Sequence, residues 1–219
     1  MRNVARDVWQ IDGFPSNVIN AYLVGDILID CGTKYDVRRF MKALTGIDLK
    51  LVALTHCHPD HQGTAKAICE KFGVPLACHE LDRGAMEGRN PMVPDGAMIR
   101  VSSKLFSGPP HKVDRVLTDG EMIGPLRVVH APGHTPGHCM FFREEDRLLI
   151  AGDTVLNMNL LTLWPGLHTP PNFFCVDPAE NRRSIRRIGE LEPRTILFGH
   201  GPPLSDMRKL SRFIDRLPA

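Results

Sequence analysis

The sequence predicts one α/β domain spanning residues 1–219. Three observations predict it. Short apolar runs of strand length alternate with stretches of helical period, as expected where helices cover sheets. Each half of the chain runs through strands, then a helix, then a strand ending at a histidine. With 42% hydrophobic and 24% charged residues, the chain can bury a core and is not of disordered composition.

The elements follow in order. Apolar runs at 18–24 and 27–30 flank Gly25 and Asp26, a pair suited to a tight hairpin turn. Val37, Phe40, Met41 and Leu44 recur at helical spacing between Asp36 as cap and Gly46 as stop. A strand over 51–55 leads into His56, a helix over about 63–72 ends at Gly73, and 75–78 is the next strand. Glycines and prolines punctuate residues 82–110, which predicts a long loop or lid with at most a turn or two of helix at 81–88. Strands resume at 126–130, 139–142 and 148–151, the last two joined by the polar turn 143–147. A second apolar, proline-rich loop covers 156–174. Asp177 then caps a helix with Pro178 in its first turn and Glu180 placed to reach back, while Ile185, Ile188 and Leu191 form its buried face. The last predicted strand is 195–198.

Charge and composition exclude several classes. There are 27 Lys and Arg against 25 Asp and Glu, a formal +2, so electrostatics names no nucleic-acid or acidic-lipid partner. No apolar run approaches the roughly 20 residues of a membrane span, and the amino end lacks a signal-peptide pattern, so the expected location is cytoplasmic. Six cysteines without a Cys-x-x-Cys pair are expected to be reduced thiols.

The chemistry concentrates in Thr55-His56-Cys57-His58-Pro59-Asp60-His61. If the strand continues to His58, His56 and His58 point to one side and Cys57 to the other, so both imidazoles can grip one metal. The turn after Pro59 can carry Asp60 and His61 toward a neighbouring ion. His134, Asp153 and His200 each stand beside a glycine just past a predicted strand, where loops present catalytic groups. Histidine and carboxylate without thiolate favour zinc first, with iron or manganese as alternatives.

These residues resemble the metallo-β-lactamase superfamily. His56, His58, Asp60 and His61 match its His-x-His-x-Asp-His signature, and His134, Asp153 and His200 match later Gly-His-Thr-Pro-Gly, Gly-Asp and Gly-His segments. The resemblance implies an αββα sandwich of two mixed sheets flanked by helices, with a dinuclear site at one edge. It implies that His56, His58 and His134 bind one divalent ion, that Asp60, His61 and His200 bind the other, and that Asp153 bridges them. Asp30 matches an acidic position that orients a ligand histidine, but it can equally cap the turn before Gly32.

Two ions sharing one water would acidify it toward neutrality, giving a hydroxide that attacks an ester, thioester or lactone carbonyl, with Asp60 steering protons. The expected partner is a small acyl substrate, and the chain is expected to be a monomer or homodimer. The apolar residues of 156–174 suit either an acyl pocket or a dimer contact. His168 is a further candidate for proton transfer, whereas His79, His111, His130 and His138 receive no catalytic role. Glyoxalase II resembles the chain at the ligands, but a Gly-x-Gly-Arg-like segment and an extra helical domain are missing, and the tyrosine that lactonases often use has no counterpart. Two alternatives are an RNA nuclease using Arg182, Arg183, Arg186 and Arg187, and an iron-dependent oxidoreductase like the persulfide dioxygenases.

Overall fold

A computed structural model describes residues 1–218. The first sheet is built from β1 (Arg2–Ala5), β2 (Val8–Asp12), β3 (Asn20–Val24), β4 (Ile27–Ile29), β5 (Leu51–Ala53), β6 (Leu76–His79) and β7 (Arg115–Leu117), in that spatial order. Its first four strands are antiparallel, and β4 to β7 run parallel. Helices α1 (Val37–Ala43), α2 (Pro59–Gln62), α3 (Ala65–Phe72), α4 (Glu80–Met86) and α5 (Ala97–Phe106) lie in its crossovers. The second sheet contains β8 (Met122–Ile123), β9 (Leu126–His130), β10 (Cys139–Arg143) and β11 (Leu148–Ile150). A hairpin of β12 (Leu156–Met158) and β13 (Pro165–His168) follows, then α6 (Pro178–Glu190), β14 (Thr195–Leu197) and α7 (Met207–Asp215). The strand β14 joins the second sheet beside β11 in parallel, giving the order β14-β11-β10-β9-β8.

Strand alternation distributes the core among three layers. Ile27, Ile29, Leu51 and Ala53 face Val128, Phe141, Leu148 and Ile150 between the two sheets. The intervening Leu28 and Val52 turn outward onto Phe40, Leu44 and Ile68 of the first helical layer. On the other side, Val129, Met140, Phe142 and Leu149 pack against Ile185, Ile188 and Leu210. The result is the αββα sandwich with mixed sheets that the resemblance implied.

One edge of the sandwich is stitched across the sheets. Tyr22 donates its hydroxyl to the Phe198 carbonyl at 2.7 Å, and the Asn20 amide donates to Phe198 and Gly201 carbonyls at 3.0 and 2.9 Å. The Cys139 amide donates to the Thr55 carbonyl at 2.8 Å. β3 is thereby tied to the end of β14, and β10 to the end of β5, at the edge where the predicted ligands emerge.

The structure departs from the sequence reading in the irregular segments. Residues 82–110 are not a long loop: α4 is the short helix allowed at 81–88, and the ten-residue α5 occupies a stretch read as loop. The signal was weak because only Ile99 of α5 is fully buried, so no continuous apolar stripe marks the helix. The 156–174 segment carries the β12–β13 hairpin and a 3₁₀ turn at Asn172–Phe174. The edge strand β1 is largely exposed, and it and β2 were not predicted; nor was α7, although Met207, Leu210, Phe213 and Ile214 share one face of it. Asp177 caps α6 by accepting from the Ala179 and Glu180 amides at 2.9 Å each, but Glu180 pairs with Arg183 instead of reaching back.

Candidate metal centre

The segment after β5 leaves the sheet extended, so Cys57 enters the core while His56 and His58 face the opposite side with ring centroids 4.6 Å apart. His58 precedes Pro59, whose fixed φ starts α2, and that single turn carries Asp60 and His61. His134 follows β9, Asp153 follows β11 and His200 follows β14. All seven predicted residues meet at this edge. The possible ligand atoms of His56, His58 and His134 lie within 4.8 Å of one another, as do those of Asp60, His61 and His200. Asp153 groups with His56 and His61, and its Oδ2 stands 3.1 Å from His200, 3.6 Å from His61 and 3.7 Å from His134.

Each imidazole is oriented through one nitrogen, leaving the other for the centre. His61 Nδ1 meets Asp30 at 2.9 Å, and the same carboxylate accepts from the Thr55 amide and hydroxyl, both at 2.8 Å. Asp30 therefore orients His61. His56 Nδ1 contacts Thr55 Oγ1 at 3.0 Å, His58 Nε2 meets the Val93 carbonyl at 2.8 Å, and His200 Nδ1 meets the Val18 carbonyl. His134 Nδ1 lies 3.7 Å from Cys175 Sγ.

What remains is a set of orphaned polar atoms. His56 Nε2, His61 Nε2, His134 Nε2 and Asp153 Oδ1 are buried without hydrogen-bond partners. Such groups are costly unless something satisfies them, and these four are all donors a divalent cation accepts. Protonation agrees. Burial and neighbouring imidazoles hold His56 and His134 well below the ordinary histidine value, and burial lowers His58 despite its bond to Val93, so their lone pairs are free. Burial opposes charge on His61 and His200 as well, but Asp153 and its companion carboxylates outweigh it and raise both, His200 to about 10. Burial would likewise raise Asp60 and Asp153, but the charges of His61 and His200 hold both carboxyls below their usual range. The first trio is therefore neutral and the second holds protons against its carboxylates, the places where a cation would take over the lone pairs.

Glycine permits the close approach. A Cβ at Gly199 would collide with Asp153 Oδ1 and stand 2.7 Å from His61 Cε1. Two residues support the seven: His138, which the sequence marks as structural by its place after the Gly-His-Thr-Pro-Gly segment, and Asp82, which sequence reasoning missed. His138 accepts the Asp153 amide on Nε2 at 3.0 Å, and burial lowers its pKa to about 3, which keeps that nitrogen an acceptor. Asp82 accepts from the Cys57 and Gly137 amides and the Thr135 hydroxyl at 3.1, 2.8 and 2.8 Å, tying both ligand loops to α4. For Asp82 no sequence signal exists.

Beside the centre lies a cavity of about 330 Å³. His58, Asp60, His134, Asp153 and His200 form its floor, Met98, Ile99 and Phe106 of α5 one wall, and Leu160, Leu161, Leu163, Phe173 and Phe174 the other. Both irregular segments line it, and His168 does not. Of the basic stripe, Arg183 pairs with Glu180, Arg187 with Asp119, and Arg186 donates to the Leu217 and Pro218 carbonyls.

An αββα sandwich with a buried His/Asp centre at one edge defines a class of metal-dependent enzymes, and the comparisons agree. Residues 16–200 match the profile of the metallo-beta-lactamase superfamily, and the chain belongs to it. The probable metallo-hydrolase YflN of Bacillus subtilis is 33% identical over 179 residues, covering 73% of this chain and 67% of its own length. An atrochrysone carboxyl ACP thioesterase of Aspergillus chevalieri is 29% identical over 157 residues, 66% of this chain and 42% of that protein. The chain thus spans about two thirds of the first relative and under half of the second. Among solved structures, TTHA1623 in a di-iron-bound form superposes with a TM-score of 0.70 at 28% identity, covering 90% of this chain and 94% of that one. No helix among the described residues is long and apolar enough to cross a membrane.

Proposed function

We propose that this protein is a dinuclear metallo-hydrolase that cleaves acyl substrates, a thioester, ester or lactone. The observation that carries this reading is the convergence of orphaned ring nitrogens and an orphaned carboxylate oxygen at one edge of the sandwich, where His134 and Asp153 among them open on a largely apolar cavity. His56 and His134 through Nε2 and His58 through Nδ1 would hold one ion, Asp60, His61 and His200 the other, with Asp153 between them. Bound divalent ions supply an acidified water and Lewis-acid polarisation of a carbonyl. Zinc suits this donor set, and iron is supported by the di-iron form of TTHA1623.

The chain's own residues do the rest. The leucines and phenylalanines bury an acyl group and exclude water from the floor. Asp60 Oδ2 stands 3.3 Å from His200 Nε2 and opens on the cavity, so it is placed to carry a proton away from attacking water and return it to the leaving group. No thiol competes as nucleophile: Cys57 points into the core, and burial raises the Cys175 thiol to about 12. The ACP thioesterase among the relatives supports a thioester. The cationic residues that an RNA-cleaving alternative needs are mostly engaged within the chain.

The test is a panel of thioesters, nitrophenyl esters and lactones run against quantified metal occupancy. His58→Ala is expected to at least halve bound metal and abolish turnover while circular dichroism stays unchanged. Unaltered metal content would refute the ligand set, and no turnover of any acyl compound by the loaded protein would refute the substrate class.

A further inference from the structure

Behind α5 lies a second cavity of about 620 Å³, larger than the one on the metal centre. Ile99, 2% exposed, lines both and is the residue they share. Met86 and Met92 make the new cavity largely apolar, but three polar side chains line it without good partners. Gln62 is 2% exposed, and its Oε1 is buried with no hydrogen bond. Ser103 and Ser107 direct their hydroxyls only to the Met92 thioether, at 3.3 and 3.6 Å. A thioether is a weak acceptor, so both hydroxyls retain capacity for a better one. A buried carboxamide oxygen without a donor is costly, and a ligand that supplies the donor offsets that cost.

From this placement we infer that the second cavity is a subsite for the leaving arm of a thioester, an arm carrying an in-chain amide. The amide N–H donates to Gln62 Oε1, and its carbonyl accepts from Ser103 or Ser107. The acyl group occupies the largely apolar cavity beside the proposed ligands, and the arm reaches the second cavity alongside Ile99. The inference rests on the proposed thioesterase reading and adds where the thiol side is held and which residues read it. Hydrolysis itself is unchanged: water adds across the C–S bond, the acyl carbon gains the oxygen, and the arm leaves as a thiol that takes the proton.

The experiment compares S-hexanoyl-N-acetylcysteamine with S-pentyl thiohexanoate, whose arms have equal length and differ in the amide. The readout is the ratio of their kcat/KM values, so damage common to both substrates cancels. The metal-loaded wild-type protein is expected to favour the amide-bearing arm about tenfold, the worth of one buried hydrogen bond. Gln62→Leu should bring the ratio close to one. Ser103→Ala with Ser107→Ala, both half-buried, one on α5 and the other just after it, should reduce it severalfold and serves if Gln62→Leu does not fold. A wild-type ratio near one, or a ratio unmoved in both variants, overturns the inference. Calorimetric binding of the thioether S-hexyl-N-acetylcysteamine needs no turnover: binding weakened in the variants supports the subsite even if no thioester is hydrolysed, and equal binding by all three proteins overturns it.

Discussion

At the scale of single residues, the centre depends on side chains that never face it. Asp30 holds His61 by one bond and Thr55 by two, so its removal frees a ring that then loses its aim. Asp30→Asn keeps the shape but withdraws the charge opposite Nδ1. Metal affinity is expected to fall about 10–100-fold, read by competition with a chromogenic chelator, with little change in the far-ultraviolet spectrum. Gly199→Ala acts by bulk instead. The added methyl would displace Asp153, so metal content and activity should fall together while the ligand residues remain intact. The seven clustered residues were readable because their spacing and neighbouring glycines are local facts. The partners of His138 and Asp82 were not, since they lie 15 or 55 residues away.

At the scale of elements, legibility followed burial. Strands β4 and β11 are apolar throughout, β9 and β10 mostly so, and turns bound all four, so their existence showed in the sequence. Helix α5 did not show, because it covers cavities instead of core and leaves Met98, Val101 and Leu105 exposed. Helix α6 announces its start through Asp177, whose carboxylate lies below its usual pKa because the Glu180 amide donates to it. Asp177→Ala is expected to lower Tm by about 2–4 °C. The sign with pH is fixed: a depressed folded value gives stabilisation that is full above about pH 4 and lost as pH falls through that value. Asp177→Asn, which cannot titrate, should lack this acid-side loss in thermal melts.

At the scale of the whole molecule, neither sheet contains the centre. The first contributes His56, His58, Asp60 and His61, the second His134, Asp153 and His200, and Tyr22 and Asn20 fix one against the other. An ion gripped by both sheets acts as a cross-brace on the packed state. Stripping metal with a chelator should therefore lower Tm by about 8–16 °C where metal had been present at a thousandfold over its Kd. A melt indifferent to chelation would contradict a shared site. The αββα architecture itself could be inferred only through the resemblance, because alternation within strands reveals which faces are buried but not that two sheets bury them against each other.

The division of the centre along the chain also sets a calendar. A ribosome delivers residues in order, and the trio of His56, His58 and His134 is complete well before His200 emerges to finish the other. On the proposed ligand set, the second trio stays one ligand short until β14 takes its place beside β11.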